Sequence, residues 1–236
     1  MVKLGLGGLM LAAVLAFQGT PRADSTQPVS GSLSGRVTFA GSVPAPEPID
    51  MSSEQFCQEA QHGAPAARQR VRVGAQSGLA DVVVHVKGVT GGARTVPAEP
   101  VVLDQKNCAY QPNVLVVRAG QPIVIRNSDG ILHNVHAFAK TNPPFNIGQP
   151  IAGMEARRTM RVAELVRVRC DIHDWMEASL AVYEDPYFAV TDADGRFSIA
   201  GLPAGEYELE VWHPKLGART QKVRVGEGAA DIVVAY

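Results

Sequence analysis

The stretch VRVRCDIHDWM (residues 166–176) contains a strand pattern that leads directly into side chains able to bind a metal ion. Val and Arg alternate in its first half, so the valines and Cys170 share one face of a strand and the arginines lie on the other. Cys170 therefore ends a rigid strand and points inward. His173 and Met176 follow at intervals of three residues. The stretch predicts a loop with three candidate metal ligands.

Short segments rich in Val and Ile surround this stretch, and Gly, Pro, Asn and Asp separate them. Examples are 33–43, 71–73, 79–89, 100–104, 113–120, 121–130, 132–139, 159–165, 166–170 and 179–183. This pattern predicts an antiparallel β-sandwich or barrel. One short helix is expected within residues 51–70.

The composition indicates a folded protein without an obvious catalytic or nucleic-acid-binding motif. The 236 residues are 46% hydrophobic and 19% charged, with a net charge of −1. No basic run stands out, which argues against nucleic acid and anionic membranes as partners. The sequence also has no nucleophile elbow, phosphate loop, HExxH motif or paired-carboxylate pattern. We therefore do not expect an enzyme.

The N-terminus has the pattern of an export signal. Lys3 precedes an apolar stretch at 4–17 that is short for a membrane span, and a polar segment follows. We predict a signal peptide over residues 1–23 and a periplasmic or otherwise extracytoplasmic location. The alternative is an uncleaved anchor, the only case in which we expect contact with a membrane.

A fourth candidate ligand, His133, lies upstream in ILHNVHAF (131–138). Two imidazoles, a thiolate and a weak axial thioether form the ligand set of a blue-copper electron-transfer centre. His136 is three residues further on, so on a strand it points to the opposite face from His133. We expect His136 to be structural or exposed, and its replacement of His133 as a ligand is the alternative.

The segments IVIRNSDGILHNVHAF (123–138) and VRCDIHDWMEASLAVYE (168–184) resemble a cupredoxin, and most closely the amicyanins. The resemblance covers about residues 100–184. It implies a Greek-key β-sandwich with one type 1 copper ion bound by His133, Cys170, His173 and Met176. It also implies that Asn134 braces the ligand loop through hydrogen bonds.

The same resemblance implies a carrier of single electrons that has no small-molecule substrate. In cupredoxins the later histidine ligand approaches the surface through an apolar patch, which here would be His173 with Ile131, Leu132 and Trp175. The implied partner is a redox protein such as a c-type cytochrome or a dehydrogenase. Two departures bear on the potential and the partner: VRVR replaces the usual aromatic residues before the cysteine, and Asp174 and Trp175 lie between the last ligands.

With Cys170 assigned to copper, Cys57 and Cys108 form an even pair, and we expect a disulfide between them. The alternative is two reduced, buried thiols. The segment VTDADGRFSIAGLPAGEYELEVWHP (190–214) resembles a carboxypeptidase regulatory-like (transthyretin-like) β-sandwich module.

The expected organisation is a linker with an N-terminal strand (24–50), a cupredoxin-like domain (51–184) and a small β-sandwich module (185–236). The N-terminal strand would either complete the module or cap the cupredoxin sheet. Two other functions stay open: a copper storage or delivery protein, and a non-redox β-sandwich interaction module with a vestigial metal site.

Overall fold

The computed structural model describes residue 1 and residues 30–61, 66–89, 95–226 and 229–236. The predicted signal peptide lies outside the described residues, apart from Met1. Within the described part of the chain, no helix has the length and apolar character needed to cross a membrane.

Strands are the main secondary structure of the described residues, which also contain one short α-helix and one 3₁₀ turn (Ala75–Ser77). In chain order the elements are β1 (Ser30–Thr38), β2 (Glu47–Pro48), α1 (Gln55–Ala60), β3 (Ala67–Arg68), β4 (Val83–Lys87), β5 (Val101–Lys106), β6 (Ala109–Gln111), β7 (Val114–Arg118), β8 (Pro122–Asn127), β9 (His133–Phe138), β10 (Phe145–Gln149), β11 (Glu155–Thr159), β12 (Glu164–Arg169), β13 (Glu177–Tyr183), β14 (Phe188–Val190), β15 (Arg196–Pro203), β16 (Gly205–His213), β17 (Gly217–Val225) and β18 (Ala229–Ala235).

The larger sandwich has two sheets, with strand orders β10-β9-β12-β13-β7 and β11-β8-β5-β6. β12 runs antiparallel to β9, so the end of β12 lies beside the beginning of β9. Inward-facing apolar side chains of both sheets form the core, among them Leu103, Val117, Ile125, Val135 and Val166. Their alternation with exposed residues is the period-two pattern of a half-buried strand.

The smaller sandwich has sheets of order β15-β1-β18 and β14-β4-β16-β17. Its core includes Leu33, Val84, Phe197, Leu209 and Val234, which are buried and come from five different strands. The predicted all-β fold with two sandwiches is confirmed. The two short strands β2 and β3 pair with each other outside these four sheets.

The strand pairing corrects the expected domain boundaries. β1 pairs with β15 and β18, so the N-terminal strand completes the smaller sandwich. β4 lies within the stretch expected to form the larger domain (51–184), but it pairs with β14 and β16. The physical reason is burial, because Val84 and Val86 are fully enclosed in the smaller core. In the sequence, the smaller sandwich therefore combines strands that precede the larger one with strands that follow it.

The two sandwiches pack against each other through a small apolar cluster. Val83 of β4 is buried with Val114 of β7 and with Ala181 and Tyr183 of β13. β4 thus directs Val84 and Val86 into one core and Val83 toward the other sandwich, which explains why Val83 is buried although it lies on the opposite face of the strand.

Candidate metal centre

Two neighbouring strands and the loop that follows one of them bring the predicted ligands together. His133 is the first residue of β9, and Cys170 directly follows β12. The loop after Cys170 closes on itself, because the Cys170 amide donates to the Met176 carbonyl at 3.1 Å and the Met176 amide donates to the His173 carbonyl at 2.9 Å. The inward direction predicted for Cys170 is what places its thiol beside the two histidines.

The side chains of His133, Cys170 and His173 form a buried cluster. Nδ1 of His133 lies 2.9 Å from Nδ1 of His173, and Sγ of Cys170 lies 3.8 Å from the same nitrogen of His173. One ligand atom from each of the three residues lies within 4.8 Å of the others. Met176 is also buried, at 1% exposure, and belongs to the same core cluster as Cys170.

This donor set fits a copper ion. Two imidazole nitrogens that face each other at 2.9 Å need a shared proton or a cation between them, because two lone pairs repel. A thiolate beside them is a soft ligand. Soft ligands favour copper over a hard cation such as Mg²⁺. The cluster therefore has the ligand chemistry of a blue-copper site, with His133, Cys170 and His173 as the residues that would hold the ion.

The cluster also favours the thiolate form of Cys170. Burial raises the pKa of this thiol, but hydrogen bonds from His133 and His173, together with the backbone of Asn134 and His173, outweigh it and lower the pKa to about 5. Burial lowers the pKa of His133, while Asp129 and Cys170 raise it, and the net change is upward. A buried cysteine that ionises below neutral pH is prepared to bind a metal ion.

Asn134 connects β9 to the ligand loop. Its side-chain oxygen accepts a hydrogen bond from the Asp171 amide at 2.7 Å and lies 3.2 Å from Sγ of Cys170. Its side-chain nitrogen donates to Asn146 at 2.7 Å and to the Asp171 carboxylate at 3.0 Å. These contacts tie β9 to the loop after β12, and the bracing role that the cupredoxin resemblance implies for Asn134 stays a prediction.

Asp129 is a further residue of the site that the sequence did not indicate. It is 2% exposed, and its Oδ2 lies 2.9 Å from Nε2 of His133. The carboxylate also accepts hydrogen bonds from the amides of Asn107 and Cys108, both at 2.8 Å. Burial raises the pKa of Asp129, but its hydrogen bonds to His133 and these amides hold it below its usual value. The only sequence signal was its position four residues before His133, in the turn NSDG.

The environment of His173 differs from the expectation that this ligand approaches the surface. His173 is only 1% exposed, and its Nε2 has no hydrogen-bond partner among the described residues. Glu54, at the N-terminal end of α1, places Oε1 3.9 Å from that nitrogen, and the Trp175 ring lies 5.0 Å from the imidazole. The segment around α1 therefore covers the edge of His173 that was predicted to be the electron port.

The expected apolar patch is only partly exposed. Leu132 is 45% exposed, and Ile172, which the sequence analysis did not single out, is 46% exposed. Ile131 and Trp175 are instead partly buried against the core, and Trp175 donates from Nε1 to the Cys108 carbonyl at 3.1 Å. The apolar surface next to the site thus consists chiefly of Leu132 and Ile172.

Two other predictions about the site region can be compared with the structure. The disulfide between Cys57 and Cys108 is present, which confirms the expected pairing and leaves Cys170 as the free cysteine. His136 is partly exposed and contacts the Asp171 carboxylate at 3.1 Å. His133, and not His136, lies in the buried cluster with Cys170.

Comparison with known proteins finds the predicted C-terminal module again. Residues 177–235 match the family model of the carboxypeptidase regulatory-like domain, which confirms the predicted module. That range excludes β1 and β4, which reach the smaller sandwich from earlier in the chain. No curated protein matches the sequence.

Cupredoxins and a copper enzyme are among the similar solved structures. Amicyanin from Paracoccus versutus is 23% identical, with coverage of 42% of this chain and 97% of its own and a TM-score of 0.33. A purple cupredoxin from Nitrosopumilus maritimus is 17% identical over 36% of this chain and 98% of its own, with a TM-score of 0.31. A copper-containing nitrite reductase from Thermus scotoductus SA-01 is 22% identical over 42% of this chain, with a TM-score of 0.36, and the match spans only 26% of that enzyme.

Proposed function

We propose that this chain is an exported type 1 copper protein that carries single electrons between redox partners. The observation that carries the proposal is the buried cluster of His133, Cys170 and His173, in which two imidazole nitrogens and one thiol converge at the end of two adjacent strands. When bound there, copper would supply reversible one-electron chemistry between Cu(I) and Cu(II).

Each residue of the cluster has a distinct role in this proposal. His133, His173 and the Cys170 thiolate would hold the ion, and Met176 would supply a weaker thioether ligand. Asn134 fixes the loop that carries the thiolate through its hydrogen bond from the Asp171 amide. A loop held in this way resists rearrangement when the charge at the site changes, and small rearrangement allows fast electron transfer.

The ligand set favours a carrier over an enzyme. Catalytic metal sites keep one coordination position open for water or substrate. Here protein side chains fill the proposed positions, and all four are at most 1% exposed. The chain therefore holds and orients the ion without presenting it to a small-molecule substrate.

The proposed setting is outside the cytoplasm, with a redox protein such as a c-type cytochrome or a dehydrogenase as the transient partner. The Cys57–Cys108 disulfide is compatible with an oxidising compartment. Leu132 and Ile172 supply the exposed apolar surface beside the site, and a small contact of this kind suits brief encounters.

Copper storage or delivery is the second candidate, and one observation favours it. Glu54 lies 3.9 Å from Nε2 of His173 and covers that edge of the imidazole. A docking partner would therefore stay further from the site than it would if His173 were exposed. A storage protein needs a buried ion, whereas a carrier needs rapid exchange through the surface. The two functions therefore differ in exchange rate and share the same ligands.

The deciding experiment adds Cu(II) to the purified protein and records its visible spectrum, its electrochemistry and its electron exchange with a c-type cytochrome. The carrier proposal expects an intense thiolate-to-copper band, reversible reduction and fast exchange. A coloured, reversible site that does not exchange electrons would favour storage or delivery.

Cys170→Ser and Met176→Leu are the matched ligand variants. Cys170→Ser should abolish the band, whereas Met176→Leu should keep it and change mainly the potential, because the axial bond is weak. If the native protein develops no coloured site and Cys170→Ser folds unchanged, the hypothesis of a copper site is rejected. The remaining hypothesis is then a non-redox interaction module.

A further inference from the structure

A cleft of about 730 Å³ lies between the two sandwiches, and Trp175 and Met176 contribute to its lining. The larger sandwich and the β2–β3 segment contribute one wall, which includes Arg68, Arg70 and Glu177. The smaller sandwich contributes the other wall, which includes Trp212 and His213. This volume lies within the range of pockets that hold small ligands, about 300–1,000 Å³.

The charges beside this cleft do not balance. Arg68, Arg70 and Arg167 line the cleft, and Arg169 lies beside Glu177 outside the lining. The carboxylates paired with these arginines are Glu47 and Glu177. Asp81 also lines the cleft but is paired with Arg72 at 2.6 Å. Glu177 alone contacts Arg70 at 3.0 Å, Arg167 at 3.0 Å and Arg169 at 3.8 Å. Each carboxylate can neutralise one guanidinium, so this group of residues keeps an excess of positive charge.

Two of these arginines also have hydrogen-bond donors that are not used. The Nε atoms of Arg68 and Arg169 are buried and have no acceptor within the described residues. The Arg68 guanidinium makes only long contacts, at 3.9 Å to Glu47 and 3.4 Å to the Asp174 carbonyl. Buried donors without acceptors are destabilising. Of these two residues Arg68 lines the cleft, so an anion bound there would supply an acceptor to Arg68 and balance the excess positive charge.

From this cleft, its excess of arginine and its unused donors, we propose that the chain binds a small oxyanion, carboxylate or phosphate, between its two sandwiches. The planar guanidinium forks are suited to either group, since both offer oxygens at the spacing of two parallel N–H donors. Trp175 and Trp212 line the same cleft, so a planar organic group attached to the anion has aromatic surface to pack on. The arginines of this site are not proposed copper ligands, although Met176, the proposed thioether ligand, also lines the cleft. Anion binding is therefore tested on copper-free protein.

The two tryptophans of the chain are Trp175 and Trp212, which gives a direct readout of binding. Titration of the full-length, copper-free protein with inorganic phosphate or with citrate, at constant ionic strength, should change its tryptophan fluorescence in a saturable way. Chloride at the same ionic strength serves as the blank. A stronger response to citrate would identify a carboxylate ligand, and a stronger response to phosphate would identify a phosphate ligand.

Substitutions test whether the arginines carry the binding. Arg68→Gln and Arg167→Gln should each weaken anion binding by at least tenfold, because each removes a charged donor beside the cleft. Lys222→Gln, an exposed position on β17, removes the same charge elsewhere and should leave binding unchanged. Circular dichroism would verify that each variant is folded. The proposal is overturned if neither anion shifts the fluorescence beyond the chloride blank, or if Lys222→Gln weakens binding as much as the arginine variants do.

Discussion

The Asp129 carboxylate lies 2.9 Å from Nε2 of His133, on the side of the imidazole opposite to the nitrogen that faces His173. A buried negative charge at this position makes the imidazole a stronger electron donor. It therefore stabilises the more positive oxidation state of an ion bound at Nδ1.

Asp129→Asn should accordingly raise the reduction potential of the copper-loaded protein. The loss of a charge-assisted hydrogen bond, worth roughly 1.5–3 kcal/mol, corresponds to an increase of about 65–130 mV for a one-electron couple. Voltammetry measures the change. Asp104→Asn is the control, because among the described side chains the nearby Asp104 carboxylate accepts hydrogen bonds only from Ser128. A potential that is unchanged or lower in Asp129→Asn would contradict the argument.

Removing the cover from His173 should speed electron exchange. Glu54→Ala deletes the carboxylate that lies 3.9 Å from Nε2 and opens a path from the imidazole edge to solvent. We expect exchange with a c-type cytochrome to be faster by about tenfold, which corresponds to a barrier lower by about 1.4 kcal/mol. Stopped-flow mixing measures the rate.

Glu59→Ala is the matched control for this cover, because Glu59 lies on the same helix, is exposed and contacts Gln55. Its rate should equal that of the unchanged protein. Equal rates in Glu54→Ala and Glu59→Ala would show that the segment around α1 does not limit exchange.

The Cys57–Cys108 disulfide should contribute strongly to stability. It joins residues 51 positions apart, and closing a loop of this length restricts the unfolded chain by up to about 4 kcal/mol. The double variant Cys57→Ser/Cys108→Ser should therefore unfold at lower denaturant concentration, as equilibrium unfolding in guanidinium chloride would measure. Reduction of the unchanged protein should reproduce the shift, and Cys170→Ser, which leaves the disulfide intact, should not.

Acid should weaken the loop between β9 and β10. The Glu164 carboxylate accepts hydrogen bonds from the amides of Lys140, Thr141 and Asn142, at 2.5, 3.1 and 2.9 Å. The slight burial of Glu164 raises its pKa, but these hydrogen bonds outweigh it and lower the pKa to about 2. Because the folded-state value is below the unfolded one, the stabilisation is complete above about pH 4.5 and is lost as the pH falls toward 2.

Glu164→Gln removes this titration. The difference in melting temperature between the unchanged protein and the variant should therefore be largest at pH 6 and should shrink between pH 4.5 and pH 2. Differential scanning calorimetry over that range measures it. A difference that stays constant with pH would show that the carboxylate charge does not stabilise the loop.

Several parts of this structure follow from the sequence for simple reasons. The alternation before Cys170 places its thiol inward, and the spacing to His173 and Met176 keeps all three in one loop. These are local properties, so no knowledge of the rest of the fold is needed. The odd number of cysteines likewise pointed to the pair that is bridged.

Other parts depend on contacts between distant segments. The sequence VVHVK of β4 would suit either sandwich, and only its pairing with β16 decides between them. The role of Asp129 arises because a turn after β8 meets the start of β9, and the cover over His173 arises because the disulfide holds α1 near Cys108. Periodicity and spacing do not contain that information.

The pairing of β1 and β4 with strands from the end of the chain also determines how the protein responds to proteolysis and in which order its sandwiches can fold. A protease that cuts once between the sandwiches, for example near residue 185, leaves β1 and β4 in the smaller sandwich and the polypeptide still joined through residues 40–101. Nicked protein should therefore migrate as one particle under native conditions. During synthesis, the sheet that contains β4 cannot close until β16 has emerged, so the larger sandwich is complete in the growing chain before the smaller one can form.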